Sequence, residues 1–189
     1  LSDALQKRKR TVATIGRMYP QKGYDRLLQA HKRLREDGLD CDLWILGDGP
    51  DRSALEEYCR ENHLEDSVFM PGFLTNPYPA FREADVIVCS SRYEGFSTVV
   101  TEALILGKPV VTTDCSGMDE LLGNNEFGII TENSEDGLYA GLKKMLTEPG
   151  LMEHYAAAAA QRGRDFRRDA LVGRHEAFFT ELLEGTNKQ

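Results

Sequence analysis

Six short apolar runs, each followed by residues at helical spacing, constrain this chain more than any other feature. Val12 to Ile15 ends at Gly16, after which Leu27, Leu28, His31 and Leu34 recur with helical period. Asp42 to Leu46 closes at Gly47-Asp48-Gly49-Pro50 and leads into a helix with Leu55, Tyr58 and Cys59 on one face. Val68 to Met70 stops at Pro71-Gly72, and Pro79 to Ala84 makes a short helix. Asp85 to Ser90 precedes a helix over Ser97 to Leu106 that stops at Gly107. Pro109 to Thr113 precedes a helical turn, Met118 to Leu122, and Gly128 to Thr131 precedes a helix over Glu135 to Leu146. Two further helices, Leu151 to Phe166 and Ala170 to Leu183, follow, and the alanines from Ala156 to Ala160 favour the first of them.

Strands alternating with helices imply right-handed crossover units and a doubly wound, six-stranded parallel sheet of the α/β class. The strands are almost wholly apolar, as a sheet covered on both faces requires. The expected organisation is a linker over 1–10, one α/β domain over 11–150 and packing helices over 151–189. The linker ends in Lys7-Arg8-Lys9-Arg10, a basic run that reads as solvated or as a contact with an anionic membrane or another domain.

At 189 residues, with 41% hydrophobic and 29% charged residues, the chain reads as globular. Lys and Arg number 23 against 31 Asp and Glu, a net charge of −8 that argues against a nucleic-acid binder. Cys41, Cys59, Cys89 and Cys115 form no CxxC pair and read as thiols of a reducing compartment. The four histidines form no zinc pattern. No signal peptide or membrane-length apolar run is present, so a cytoplasmic location is expected.

Three turns and one triplet could carry chemistry. Gly16-Arg17-Met18-Tyr19-Pro20-Gln21-Lys22-Gly23 offers two glycines for close backbone approach and two cations near a helix start. Arg17 suits forked bonding to phosphate and Lys22 acts as a point charge; an ordinary loop with two solvated cations is the alternative. Gly47-Asp48-Gly49-Pro50-Asp51-Arg52 lacks the third glycine of a dinucleotide fingerprint and is a plain turn or a ligand loop. Asp40-Cys41-Asp42 has the form of a metal-holding DxD triplet but enters the amino end of a strand, opposite the ligand edge, so no metal is expected. Glu94 and Glu102 stand eight positions apart, one in a strand-to-helix loop and one within the helix. On a continuous helix they would be roughly 12 Å apart, too far for the ~5–5.5 Å dyad of a retaining glycosidase. They read as two anchors on a long ligand, or as two solvated acids. Between them Gly95, Phe96, Ser97, Thr98 and Val99 present backbone N–H groups at a helix start, a ready phosphate site.

The run EGFSTVVTEALILGKPVV resembles the E-x7-E signature of glycosyltransferase family 4, the retaining, nucleotide-sugar-dependent transferases of GT-B fold. GRMYPQKGYDRLLQA, WILGDGPDRSALEEY and VFMPGF fall in the family's order, so the resemblance covers about residues 11 to 146. It is to the carboxyl-terminal, Rossmann-like donor domain, and the SRYEGFSTVV form is most similar to bacterial surface-polysaccharide and lipopolysaccharide transferases.

Several roles are implied by this resemblance. Arg17 and Lys22, at the turn opened by Gly16, would hold the donor pyrophosphate. Glu94 would bind a sugar hydroxyl, and the N–H groups of Gly95 to Val99 would support the sugar and distal phosphate. Glu102 would bind the ribose hydroxyls, and Gly72 and Phe73 would lie against the base. The catalytic set would be Arg17, Lys22 and Glu94, with the leaving diphosphate stabilised more than the ground state. No cofactor or metal is implied. The partners would be a nucleoside diphosphate sugar, with UDP as its carrier, and an acceptor glycan or glycolipid bound by an amino-terminal domain, the whole enzyme lying peripherally at the inner face of the membrane. The isolated domain would bind nucleotide and turn over little. Ser97-Thr98 and Ser116 depart from small residues common in the family and leave sugar selectivity open. A nucleotide-sugar epimerase or hydrolase of the same fold, or a non-catalytic small-molecule-binding domain, remain as alternatives.

Overall fold

The computed structural model describes residues 9–186. Six strands form one sheet: β1 (Arg10–Ile15), β2 (Cys41–Leu46), β3 (Val68–Gly72), β4 (Val86–Cys89), β5 (Val110–Thr113) and β6 (Ile129–Thr131). Their order is β3-β2-β1-β4-β5-β6 and every pairing is parallel. The helices are α1 (Tyr24–Glu36), α2 (Arg52–Glu61), α3 (Tyr78–Glu83), α4 (Thr98–Ile105), α5 (Met118–Leu122), α6 (Glu135–Thr147), α7 (Leu151–Arg162) and α8 (Arg168–Thr186). This is the doubly wound α/β fold that the alternation implies.

Successive strand residues point to opposite faces, and both faces are covered. Val12 of β1 packs with Leu27 and Leu28 of α1, Leu55 of α2 and Leu142 of α6. Its neighbour Ala13 packs in the other layer, with Phe81 of α3, Val100 and Leu104 of α4, and Leu121 of α5. Trp44 of β2 is fully buried in that second layer.

Most element limits move by one or two residues, and three differences have a physical cause. β1 begins at Arg10, inside the expected linker, because Arg10 pairs in register with Cys41 and donates from Nη1 to the Leu146 carbonyl. Lys9 is likewise committed, 2.8 Å from Asp40; Lys7 and Arg8 lie outside the described residues. β3 runs through Pro71 to Gly72, which is tolerated because β3 is an edge strand and proline need not donate to a neighbour there. The helix expected to reach Phe166 ends at Arg162 and tightens into a 3-10 turn, Gly163–Phe166. A Cβ on Gly163 would lie 2.1 Å from the Leu104 carbonyl oxygen, so only glycine lets this turn rest on α4.

The sheet reverses its winding between β1 and β4, which are adjacent and parallel. Loops leaving those two strands diverge, and the crevice between them is where open α/β sheets take ligands.

Candidate functional site

The loops leaving β1 and β4 are zipped together by backbone-directed bonds. Arg92 N–H donates to the Gln21 carbonyl at 2.7 Å, and Gln21 Nε2 returns a bond to the Tyr93 carbonyl at 3.0 Å. Ser90 Oγ donates to the Lys22 carbonyl at 2.7 Å. Arg92 also forks onto Asp25, with contacts of 2.8 and 2.6 Å, and holds that carboxyl below the usual range. The approach depends on Gly23, whose φ is +63° and where a Cβ would lie 2.3 Å from the Ser90 carbonyl oxygen.

This zipper brings two expected site residues into contact. Lys22 Nζ lies 2.5 Å from Glu94 Oε1, and Ser91 Oγ donates to the same oxygen at 2.7 Å. The Glu94 side chain is 12% exposed and that of Lys22 24%, so the pair is partly withdrawn from water. Sequence reading assigned these residues to different parts of a ligand and did not anticipate that they meet.

Beneath the β4 loop lies a residue that sequence reading missed. Arg26 of α1 is 9% exposed and faces carbonyls rather than carboxylates. Its Nη2 donates at 2.8 Å to both the Ser90 and Ser91 carbonyls, and its Nη1 at 3.1 Å to the Asn133 carbonyl. Asn133 in turn donates from Nδ2 to the Arg92 and Asp114 carbonyls, each at 2.9 Å. Thr113 Oγ1 donates to the Ser91 carbonyl at 2.6 Å. Loops after β1, β4, β5 and β6 are thus tied around one planar cation, and the Ser91–Glu94 segment hangs from it. An arginine three residues after Gly23 carries no recognisable signature, because its acceptors are backbone atoms far away in sequence.

The start of α4 is capped from within. Ser97 is buried, and its Oγ accepts the Val100 N–H at 3.3 Å and lies 3.6 Å from Cys89 Sγ. Val99 is buried too, whereas Gly95, Phe96 and Thr98 face solvent. No acceptor among the described residues meets the N–H groups of Gly95 to Val99, and the first turn of α4 carries no acidic side chain. These open donors and the positive end of the helix form an anion-favouring surface. Phe96 rests edge-on against Phe166 at 6.5 Å, so the segment after α7 supports this loop. Glu102 lies in the second turn of α4, where its Oε1 accepts a bond from Tyr78 Oη at 3.1 Å.

A cavity of about 430 Å³ opens beside these loops, between Gly16 and Arg17, the Gly47–Gly49 turn, and Phe73 and Leu74. Phe73 is 78% exposed at its mouth. Arg17 is exposed and sits 5.1 Å from the Tyr19 ring centre, with no carboxylate partner among the described residues. Lys22, Glu94 and Glu102 do not line this cavity. Gly16 links the two regions, since a Cβ there would meet Lys22 Cε at 3.4 Å. Gly47 makes the turn possible: its φ is +140°, and a Cβ would lie 2.1 Å from the Gly16 carbonyl oxygen. Gly72 is buried, its φ is +86° and its carbonyl accepts the Gly47 N–H at 3.0 Å, so it turns the chain toward Phe73. The Asp40-Cys41-Asp42 triplet sits at the opposite end of the sheet, with Asp40 held by Lys9 and by Arg35 at 2.7 Å.

Residues 2–162 match the model of the family described as glycosyl transferases group 1. The chain belongs to that family. It is 35% identical over 167 residues to the N-acetylgalactosamine-N,N'-diacetylbacillosaminyl-diphospho-undecaprenol 4-alpha-N-acetylgalactosaminyltransferase of Campylobacter jejuni, covering 85% of this chain and 45% of that relative. It is 29% identical to the amylovoran biosynthesis glycosyltransferase AmsD of Erwinia amylovora, over 90% of this chain and 48% of the relative. This glycosyltransferase chain therefore spans less than half the length of these two relatives. Among solved structures, the pneumococcal O-GlcNAc transferase GtfA, in complex with UDP and GlcNAc, superposes with a TM-score of 0.81 at 20% identity. That alignment covers 97% of this chain and 38% of GtfA. The carboxyl-terminal domain of the group 1 transferase LpcC from Francisella tularensis superposes with a TM-score of 0.72 at 22% identity, over 80% of this chain and 83% of that domain. The fold is accordingly that of a GT-B carboxyl-terminal domain. Among the described residues, no helix is long and apolar enough to cross a membrane.

Proposed function

We propose that this chain is the donor-binding domain of a retaining, metal-independent glycosyltransferase. It would take a uridine diphosphate sugar and deliver the sugar to an acceptor hydroxyl in polysaccharide or lipopolysaccharide synthesis, at the cytoplasmic face of the membrane. One observation carries this reading within the family: Lys22 meets Glu94 directly beside an α4 start whose N–H groups are open. A cation, a carboxylate and an anion-favouring helix end together suit a ligand with both phosphate and hydroxyls.

As the glycosidic bond breaks, negative charge builds on the leaving diphosphate. Lys22, Arg17 and the α4 N–H groups would stabilise that charge, which is why the reaction would need no metal. Glu94 would accept a bond from a sugar hydroxyl and orient the ring without changing protonation. Glu102 would take the ribose hydroxyls, and Phe73 would cover the base at the mouth of its cavity. The acceptor would be held by a further domain, so this chain alone would bind nucleotide and transfer almost nothing.

Calorimetric titration with UDP, GDP and ADP, in the presence of a metal chelator, tests the reading. Binding of UDP in preference to the others is expected. Failure of all three to bind at millimolar concentration would overturn it.

A further inference from the structure

We propose that Tyr78 is a positioning residue for Glu102, its hydroxyl fixing the carboxylate that discriminates a ribose-bearing nucleotide from one lacking the ribose diol. The proposal rests on the nucleotide-binding reading of the site and adds to it a residue that no motif marks.

Glu102 projects from α4, and Tyr78 Oη is the only hydrogen-bonding partner of its carboxylate among the described residues. No cation among those residues pairs with it. A carboxylate accepts through about four lone-pair sites, so one donor on Oε1 leaves Oε2 and part of Oε1 free for a ligand diol. An otherwise unrestrained glutamate would have to be ordered on binding, whereas one held by a phenol is ordered beforehand.

The placement of Tyr78 makes the bond selective for this purpose. It is the first residue of α3, reached from β3 by the loop that carries Phe73 and Leu74 into the cavity. Its own N–H is held at 3.2 Å by Asn76 Oδ1, which fixes the turn. The Tyr78–Glu102 bond therefore joins the loop on the cavity side to the helix that follows the Glu94 loop. Tyr78 is 46% exposed, so its hydroxyl is not needed to satisfy a buried group. The carboxylate beside it pushes the phenol pKa upward, keeping the hydroxyl a donor.

The test is calorimetry on the parent chain, Tyr78→Phe and Glu102→Gln, with UDP, GDP and ADP and with the 2′,3′-dideoxy form of whichever binds. The parent is expected to favour the ribonucleotide. Tyr78→Phe should weaken ribonucleotide binding roughly fivefold, the cost of ordering a freed glutamate side chain on binding, leave dideoxynucleotide binding unchanged and keep the parent's melting temperature. If the parent discriminates and Tyr78→Phe discriminates equally, the proposal fails while the nucleotide site stands. An equal loss for both nucleotide forms would reduce Tyr78 to a structural residue and also overturn it. If the parent binds ribo and dideoxy forms alike, the ribose role of Glu102 fails and this proposal with it. If the parent binds no nucleotide, the reading of the whole site falls.

Discussion

Lys22 and Glu94, 72 residues apart in sequence, meet at 2.5 Å across the two loops that flank the reversal of the sheet. Each occupies the other, and Ser91 shares the same carboxylate oxygen. If Lys22 binds the diphosphate and Glu94 a sugar hydroxyl, as proposed, the phosphate would have to compete with Glu94 and the hydroxyl with Lys22. Under the proposed function, the two ends of a nucleotide sugar would be coupled through this one ion pair.

Glu94→Gln should release Lys22. UDP affinity is expected to hold or rise by a few-fold, while the affinity gained on adding a hexose to UDP is lost. Lys22→Gln should weaken UDP roughly 10- to 100-fold, the size of a lost charge-assisted bond. Titrating both variants with UDP and with UDP-hexoses separates the effects; equal losses of UDP affinity in the two would refute the coupling.

Arg26 holds three carbonyls with one buried guanidinium, and removing it leaves those acceptors short of donors inside the protein. Arg26→Met is expected to cost about 2–4 kcal/mol in urea unfolding. Arg26→Lys should recover less than half of that, because an ammonium cannot span the fork. Full rescue by lysine would show that charge alone suffices.

Gly47→Ala places a Cβ 2.1 Å from the Gly16 carbonyl oxygen in a backbone region that L-residues rarely adopt. Relief requires the first and second turns to part, which also deforms the cavity between them. A loss of about 2–3 kcal/mol is expected, together with weaker nucleotide binding. An alanine variant as stable as the parent would mean that the turns are more pliant than this contact indicates.

His31 is fully buried on α1, its Nε2 3.1 Å from Ser67 Oγ and its Nδ1 without a partner among the described residues. Burial depresses its pKa from 6.5 to about 3, with Arg35 adding to the effect. The folded state thus binds its proton less readily than the unfolded state. Its contribution is fully present above pH 6.5 and is lost as pH falls toward 3, at up to about 1.4 kcal/mol per pH unit. Asp25, Asp37 and Asp40 have lowered pKa values and lose their contributions only below their ordinary value of 3.8. Asp42, raised by burial, acts in the opposite sense. Unfolding free energies between pH 6.5 and 4.5 should show the histidine slope, and His31→Asn should flatten it. An unchanged slope in that variant would assign it elsewhere.

The sequence by itself determined the fold class and nearly every element. Apolar runs and period-3.6 apolar spacing are local, and wholly apolar strands such as Val86 to Cys89 fit a sheet covered on both faces. It also placed Glu94 before α4 and Glu102 within it, because capping at Ser97 is a short-range signal. Tertiary structure alone decided what those acids touch. Lys22 reaches Glu94 because β1 and β4, distant in sequence, become neighbours; Arg26 supports the loop through carbonyls that every residue type possesses; and Tyr78 meets Glu102 because two crossovers lay α3 beside α4. Parallel pairing is non-local, and backbone acceptors carry no sequence label, so these contacts leave no trace in residue order.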